Sequence, residues 1–319
     1  MSRPSPLRRV LAPTAPLPVV SLATAALLLT ACGTERTDAG RPGASTAVPP
    51  SSMRVDDPGK DGVRVTSLTL APPSPSPSPS ADFTVSAESL DSGVSATFEV
   101  TNDGTEALTY SIVFTFMSGD GGAMANPTAT VRDVAPGKTA SATVRVGALP
   151  PTTPRITQVK VAKVTKVPAA EAPAEAGSCP SSGIRVSVDQ GDAAMGLRVV
   201  GLHLDNCGTR PYTVEGYPLL ELLGEDREPV DGVTILDGSG EITTGAGPDE
   251  RPRPVTLAPG ESATAGLVWR NTVESGTPVD VPYVRVRAKA GADPVTVTPN
   301  LDLGTTGKLG VRPWKKTQR

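Results

Sequence analysis

Apolar and polar positions alternate through much of the chain. Val63-Arg64-Val65-Thr66-Ser67-Leu68-Thr69-Leu70 and Val94-Ser95-Ala96-Thr97-Phe98-Glu99-Val100 both repeat with a period of two. Tyr110, Ile112, Phe114 and Phe116 alternate with Ser111, Val113 and Thr115. Such alternation predicts strands with one buried face. Further strands are expected at 128–134, 139–146 and 156–167. No segment from 63 to 167 carries the 3.6-residue period of a helix. Six or seven short strands in this stretch fit one β-sandwich. After a Pro/Ala/Glu stretch at 168–178, strands are expected at Ile184–Val188, Leu197–Asp205, Pro218–Leu223, Val255–Leu257, Ser262–Arg270, Val284–Ala288 and Val295–Thr298. Residues 224–254 read as a long loop.

The pattern therefore predicts an all-β fold: two tandem immunoglobulin-like β-sandwich domains at 63–167 and 179–315, joined by a linker at 168–178. Composition agrees. The 319 residues include 32 Gly and 34 Pro but only 3% aromatics, which argues against a helix bundle and for short strands and many turns. The halves echo each other. Asn102-Asp103-Gly104-Thr105 matches Asn206-Cys207-Gly208-Thr209, and Ala135-Pro136-Gly137 matches Ala258-Pro259-Gly260 in the same order. The glycines are 33 residues apart in the first half and 52 in the second, which places extra residues around 224–253.

The N-terminus reads as an export signal. Arg3, Arg8 and Arg9 precede an apolar stretch densest from Val19 to Leu29, and small residues lead to Leu29-Thr30-Ala31-Cys32-Gly33. A cysteine directly after that stretch resembles a lipobox, in which Cys32 receives a diacylglycerol and becomes the new N-terminus. The competing reading is a transmembrane anchor, but Pro13, Pro16 and Pro18 leave too short an apolar core. Residues 1–31 are thus expected to be a signal peptide and 32–62 a disordered tether. A Ser-Pro run at 72–80 reads as a polyproline-type insertion, either a glycosylated wall spacer or a tolerated linker. Loss of the leader removes three of 30 basic residues, leaving 27 against 33 acids, a net charge of −6. Such a chain is not built to follow phosphate backbones, so no nucleic-acid partner is expected.

Of three cysteines, acylation of Cys32 would leave Cys179 and Cys207. An even pair outside the cytoplasm most simply forms one disulfide. The alternative, a metal site, lacks the neighbouring histidines that zinc favours.

Candidate chemistry is sparse. Gly137-Lys138-Thr139 resembles the tail of a phosphate loop, but Arg132 stands at the first glycine position and a strand follows. Ser239 is out of frame for a nucleophile elbow, and His203 is the only histidine. The acids Asp189, Asp192, Asp205, Asp237, Glu241, Asp249 and Glu250 are the remaining route to catalysis, as a carboxylate pair. No twelve-residue calcium spacing appears. Trp269 is expected in the core. The 224–254 excursion mixes acids with Val233, Ile235, Leu236 and Ile242. It is expected to present those aliphatics to a partner with the acids at the rim, unless 233–236 is an extra edge strand.

The second half carries Cys179-Pro180, Asn206-Cys207-Gly208-Thr209-Arg210-Pro211-Tyr212, Glu215-Gly216-Tyr217-Pro218, Leu257-Ala258-Pro259-Gly260-Glu261 and Val268-Trp269-Arg270-Asn271-Thr272, ending in Leu301-Asp302-Leu303-Gly304-Thr305-Thr306-Gly307 with Trp314. Over about residues 179–315 this resembles the actinobacterial exported family called domain of unknown function 4232. The resemblance implies an exported β-rich domain and supplies no activity, ligand or catalytic residue. The expectation is a lipoprotein held at the extracytoplasmic face of the cell membrane through Cys32. It would serve as a non-enzymatic binding or structural module for an envelope protein or cell-wall partner, with no catalytic residue, metal or cofactor. The alternatives are an extracytoplasmic hydrolase using paired loop carboxylates and a small-ligand carrier.

Overall fold

The computed structural model describes residues 51–70, 91–150, 152–243 and 251–317. The leader, Cys32, the Ser-Pro run and residues 244–250 of the long loop lie outside the described residues. Among the described residues there is no α-helix, and no helix is long and apolar enough to cross a membrane.

The first half forms β1 (Ser51–Arg54), β2 (Val63–Leu70), β3 (Ser95–Thr101), β4 (Leu108–Ser118), β5 (Ala123–Ala125), β6 (Thr128–Val134), β7 (Thr139–Arg145) and β8 (Ile156–Pro168). One sheet has the order β1-β2-β3-β7. The other is built on β4, which pairs with β8 along its length and with β5 and β6. The period of two turns Val63, Val65, Phe98 and Val100 toward Tyr110, Ile112, Phe114 and Phe116, making one core. The Phe98 and Phe114 rings meet at its centre, 4.7 Å between centroids.

The second half forms β9 (Ile184–Val188), β10 (Asp192–Ala194), β11 (Leu197–Asn206), β12 (Tyr212–Val214), β13 (Leu219–Leu223), β14 (Thr234–Asp237), β15 (Val255–Leu257), β16 (Ser262–Arg270), β17 (Asp280–Val281), β18 (Tyr283–Arg287), β19 (Val295–Val297), β20 (Leu301–Asp302), β21 (Lys308–Val311) and β22 (Lys315–Lys316). The larger sheet runs β11-β16-β21-β14, with β9 and β10 both on β11 and β22 on β16. A β13-β18-β19 sheet lies across a second core that holds Leu202, Leu204, Leu267, Val284 and Val286. Trp269 is buried there as expected, its indole N–H donating to Asp302 Oδ1 at 2.8 Å. Trp314 is buried too and donates to the Ala288 carbonyl at 2.9 Å.

The echo between the halves is a repeated asparagine lock. Asn102 is fully buried. Its amide donates to the carbonyls of Glu106 and Val134, both at 2.7 Å, and its Oδ1 accepts the Gly104 N–H. Asn206 makes the same three bonds, to the Arg210 carbonyl at 2.8 Å, the Leu257 carbonyl at 2.9 Å and the Gly208 N–H. The backbones agree as well. Gly137 N–H donates to Asn102 O and Gly260 N–H to Asn206 O, each at 2.7 Å. Each Asn ties a strand end to the turn that follows it and to a strand far along the chain. Buried polar groups must be paired, so each lock organises the turns around it.

Two expected boundaries are corrected. The tether was expected to run to 62, yet Ser51–Arg54 pairs antiparallel with Leu70–Ser67 as β1. All four residues are exposed, so no apolar alternation marks the strand. The ladder holds it, and Asp57 fastens the turn that follows by accepting the N–H groups of Gly59 and Val65. The 168–178 linker also packs. Val167 and Ala172 cluster with Leu223 and Tyr283, and Glu171 accepts from Arg285 Nε at 2.9 Å and Thr296 Oγ1 at 2.7 Å. Its Ala/Pro/Glu composition carries no periodicity to signal such contacts.

Candidate functional site

Cys179 and Cys207 form a disulfide with Cα atoms 5.7 Å apart, tying the start of the second sandwich to the end of β11. The chain is tight beside it. Gly208 N–H donates to Gly183 O at 2.9 Å, and a Cβ on Gly183 would lie 3.1 Å from Gly208 Cα. Cys32 lies outside the described residues.

Three of the candidate acids of the second half are engaged one by one. Asp205 receives the Arg185 guanidinium at 2.8 and 3.0 Å and the Ser262 hydroxyl at 2.6 Å. Asp189 accepts the N–H groups of Gly191 and Gly201, each at 2.9 Å, and its other oxygen lies 3.2 Å from His203 Nε2. Glu241 pairs with Lys308. Asp192 and Asp237 are exposed on β10 and β14, while Asp249 and Glu250 lie outside the described residues. Among the described residues, no three His, Cys, Asp or Glu side chains group as a metal cluster. Ser239 is buried, and its hydroxyl accepts from Arg312 at 3.1 and 3.2 Å. It is thus held by a guanidinium, whereas His203 sits on Asp189.

Burial alone would raise the Asp205 carboxyl, but the Ser262 hydroxyl and the Arg185 guanidinium outweigh it and hold the pKa below its ordinary value. Asp189 follows the same course: burial pushes it up, while Gly201, His203 and Gly191 pull it further down. A depressed carboxyl contributes stability that is complete above its unfolded-state pKa, about 3.9, and is lost as pH falls through the lower folded value. Thermal midpoints should therefore fall below about pH 4. Asp205→Asn should lower the midpoint at pH 7 and flatten that acid-side loss. An unchanged pH profile in the variant would show that Asp205 does not contribute.

The expected contact loop takes the alternative form, with an edge strand within it. Thr234–Asp237 is an edge strand lying parallel to β21, Thr234 against Lys308 and Asp237 against Val311. Val233 packs on the core, Ile235 is 42% exposed, and Leu236 and Ile242 are half-buried. Arg270 Nε donates to the Ile242 carbonyl at 3.2 Å. The four aliphatics therefore do not share one outward face, because strand alternation sends neighbours to opposite sides.

Two hollows lie at the opposite side of the second sandwich. One, of about 320 Å³, lies between β9 and the β18–β19 hairpin, with Ile184, Val186, Ala288 and Val295 as apolar walls. Tyr212 lines it, with Lys289 Nζ 4.1 Å from the ring centroid and bonded to the Thr213 carbonyl. Burial raises the Tyr212 phenol, and Asp293 adds to the rise. The other, of about 250 Å³, lies beside Gln190–Ala193 and is lined by Arg198, Trp269 and Asp302. The sequence reading missed this side, because its wall residues are far apart along the chain. The one local signal was Asp189-Gln190-Gly191-Asp192, a turn-like interruption between apolar runs.

Residues 179–315 match the family model described as domain of unknown function (DUF4232), the stretch over which the sequence resembled that family. The first sandwich lies outside the match. No curated protein matches the chain.

Proposed function

We propose that the chain is a lipid-anchored extracytoplasmic protein whose second sandwich serves as a non-enzymatic binding or structural module of the cell envelope. One observation carries this reading: a basic, then apolar leader ending in Ala31-Cys32. The pairing of Cys179 with Cys207 supports it, since disulfides persist in oxidising compartments and the pairing leaves Cys32 as the odd cysteine. Two of the candidate acids do not suit acid catalysis. A general acid needs a raised pKa near the working pH, whereas Asp189 and Asp205 are lowered. Carboxylates held ionised by N–H groups and guanidinium act as struts in the turns they close.

Cys32→Ala tests the anchor. The variant should accumulate with its leader uncleaved and incorporate no labelled fatty acid. A variant processed and membrane-bound like the wild type would overturn the reading.

A further inference from the structure

The paired locks allow the two sandwiches to be compared residue by residue, and one edge differs. With Asn102 set against Asn206, Val100 opposite Val63 corresponds to Leu204 opposite Val186. Phe98 opposite Val65 corresponds to Leu202 opposite Val188. Both edges then break. β2 shifts register between Val65 and Ser67, and β9 gives way to β10 across Asp189-Gln190-Gly191. Gly191 is required at that break: its φ is +67°, and a Cβ there would sit 2.5 Å from the Val199 carbonyl oxygen. Beyond the break, Thr69 opposite Ser95 corresponds to Asp192 opposite Val199. β9 and β10 together are thus the counterpart of β2.

In the first sandwich the part of this edge beyond the break is covered by a strand, and before the break the turn at 57–60 takes the N–H groups of Val63 and Val65 through Lys60 O and Asp57 Oδ2. β1 lies antiparallel along residues 67–70, and Val55 N–H continues the ladder to Thr66 O at 3.2 Å. In the second sandwich, among the described residues, no strand covers β9 or β10. The hydrogen-bond phase shows which groups are left over. Asn206 N–H donates to Glu261 O, so even-numbered residues of β11 bond toward β16 and odd-numbered ones toward β9 and β10. Asp189 N–H donating to Gly201 O keeps that phase. Arg185 and Ser187 therefore bond inward, while Val186 and Val188 turn their N–H and C=O outward. On β10 the outward residue is Ala193, between Asp192 and Ala194, which face Val199 and Leu197. Ile184 is also outward, but the Ser182 hydroxyl bonds both its N–H and its C=O.

We propose that the β9–β10 edge takes an extended polypeptide segment of a partner protein as an added antiparallel strand, as β1 adds to β2 within this chain. The proposal rests on the binding-module reading above and names the surface and the kind of partner. The chemistry that recognises the segment is the set of outward backbone donors and acceptors at Val186, Val188 and Ala193, which another extended backbone matches. β1 stops at the equivalent irregularity in β2, so it is the precedent for pairing along β10, and β9 would continue the same edge beyond the break. The hollow of about 250 Å³ lies beside Gln190–Ala193 and the one of about 320 Å³ beside Ile184 and Val186. They lie where alternate side chains of an added strand would turn in. The larger, with apolar walls and the Tyr212 ring, suits a bulky apolar side chain.

The probe is a displayed library of random octapeptides, selected on the purified full chain and compared with Ala193→Pro. Ala193 is exposed and its N–H points away from β11. Proline there removes a donor from the free edge and leaves the β10–β11 ladder intact, as edge strands tolerate. Amide exchange of Val186, Val188 and Ala193 is read with and without the selected peptide, and checks the assignment independently of the variant. The expected result is selected peptides that bind the wild type, bind Ala193→Pro about tenfold more weakly, and slow exchange at these three amides. Failure to select any peptide, equal binding by the variant, or protection that maps elsewhere would overturn the proposal. So would amides already protected in the free chain, which would mean that the chain covers its own edge. Dimerisation of the free chain that Ala193→Pro abolishes would overturn it too, by making a second copy the occupant. None of these results bears on lipidation at Cys32, so the anchoring reading stands or falls separately.

Discussion

Replacing both Cys179 and Cys207 with alanine should destabilise the second sandwich by about 3.5 kcal/mol, because the bridge closes a loop of nearly thirty residues in the unfolded chain. The two cysteines are 28 positions apart. The double replacement avoids a lone thiol that would pair between molecules. The effect should be confined to the unfolding transition of the second core, since the first core shares no residue with that loop. Urea unfolding followed by the fluorescence of Trp269 and Trp314, both buried in the second core, reports on it directly. A midpoint equal to that of the wild type would show that the bridge adds nothing to folding. Reduction of the wild-type protein should reproduce the loss, and addition of reductant to the double variant should change nothing.

Asn206→Ala should cost about 3 kcal/mol. The substitution strips partners from the carbonyls of Arg210 and Leu257 and from the Gly208 N–H, and the site is buried, so water does not replace them at no cost. Asn102→Ala should cost a similar amount, because it removes the same three bonds in the first sandwich. The two losses should appear in different transitions or add in the double variant, since the locks share no partner. A change below about 1 kcal/mol at either site, measured by chemical denaturation, would show that backbone bonds alone hold that turn.

The repeat was legible because its markers are turn residues. Asn, Gly and Pro read locally, and the lock needs them in order. The long strands were legible for another reason: each buries one face, so Val63–Leu70, Leu108–Ser118 and Leu197–Asn206 alternate over many residues. The short strands carried no such signal. β10, β14, β20 and β22 have two to four residues, and their partners, not their composition, make them strands. The sequence offers β14 only as the alternative for 233–236, and its partner β21, more than seventy positions later, was not legible locally. That pairing also undid the grouping of Val233, Ile235, Leu236 and Ile242, which are neighbours in sequence but not on one face. The disulfide needed only a count of cysteines and a compartment. The β9–β10 edge needed the structure, because among the described residues it is defined by the absence of a strand beside β9 and β10.

The account depends most on what becomes of Cys32, and mass spectrometry of the N-terminal peptide from protein isolated out of its native membrane addresses that directly. The predicted peptide begins at Cys32 and carries a thioether-linked diacylglycerol. A peptide that retains residues before Cys32, or begins there with a free thiol, would contradict the lipid anchor.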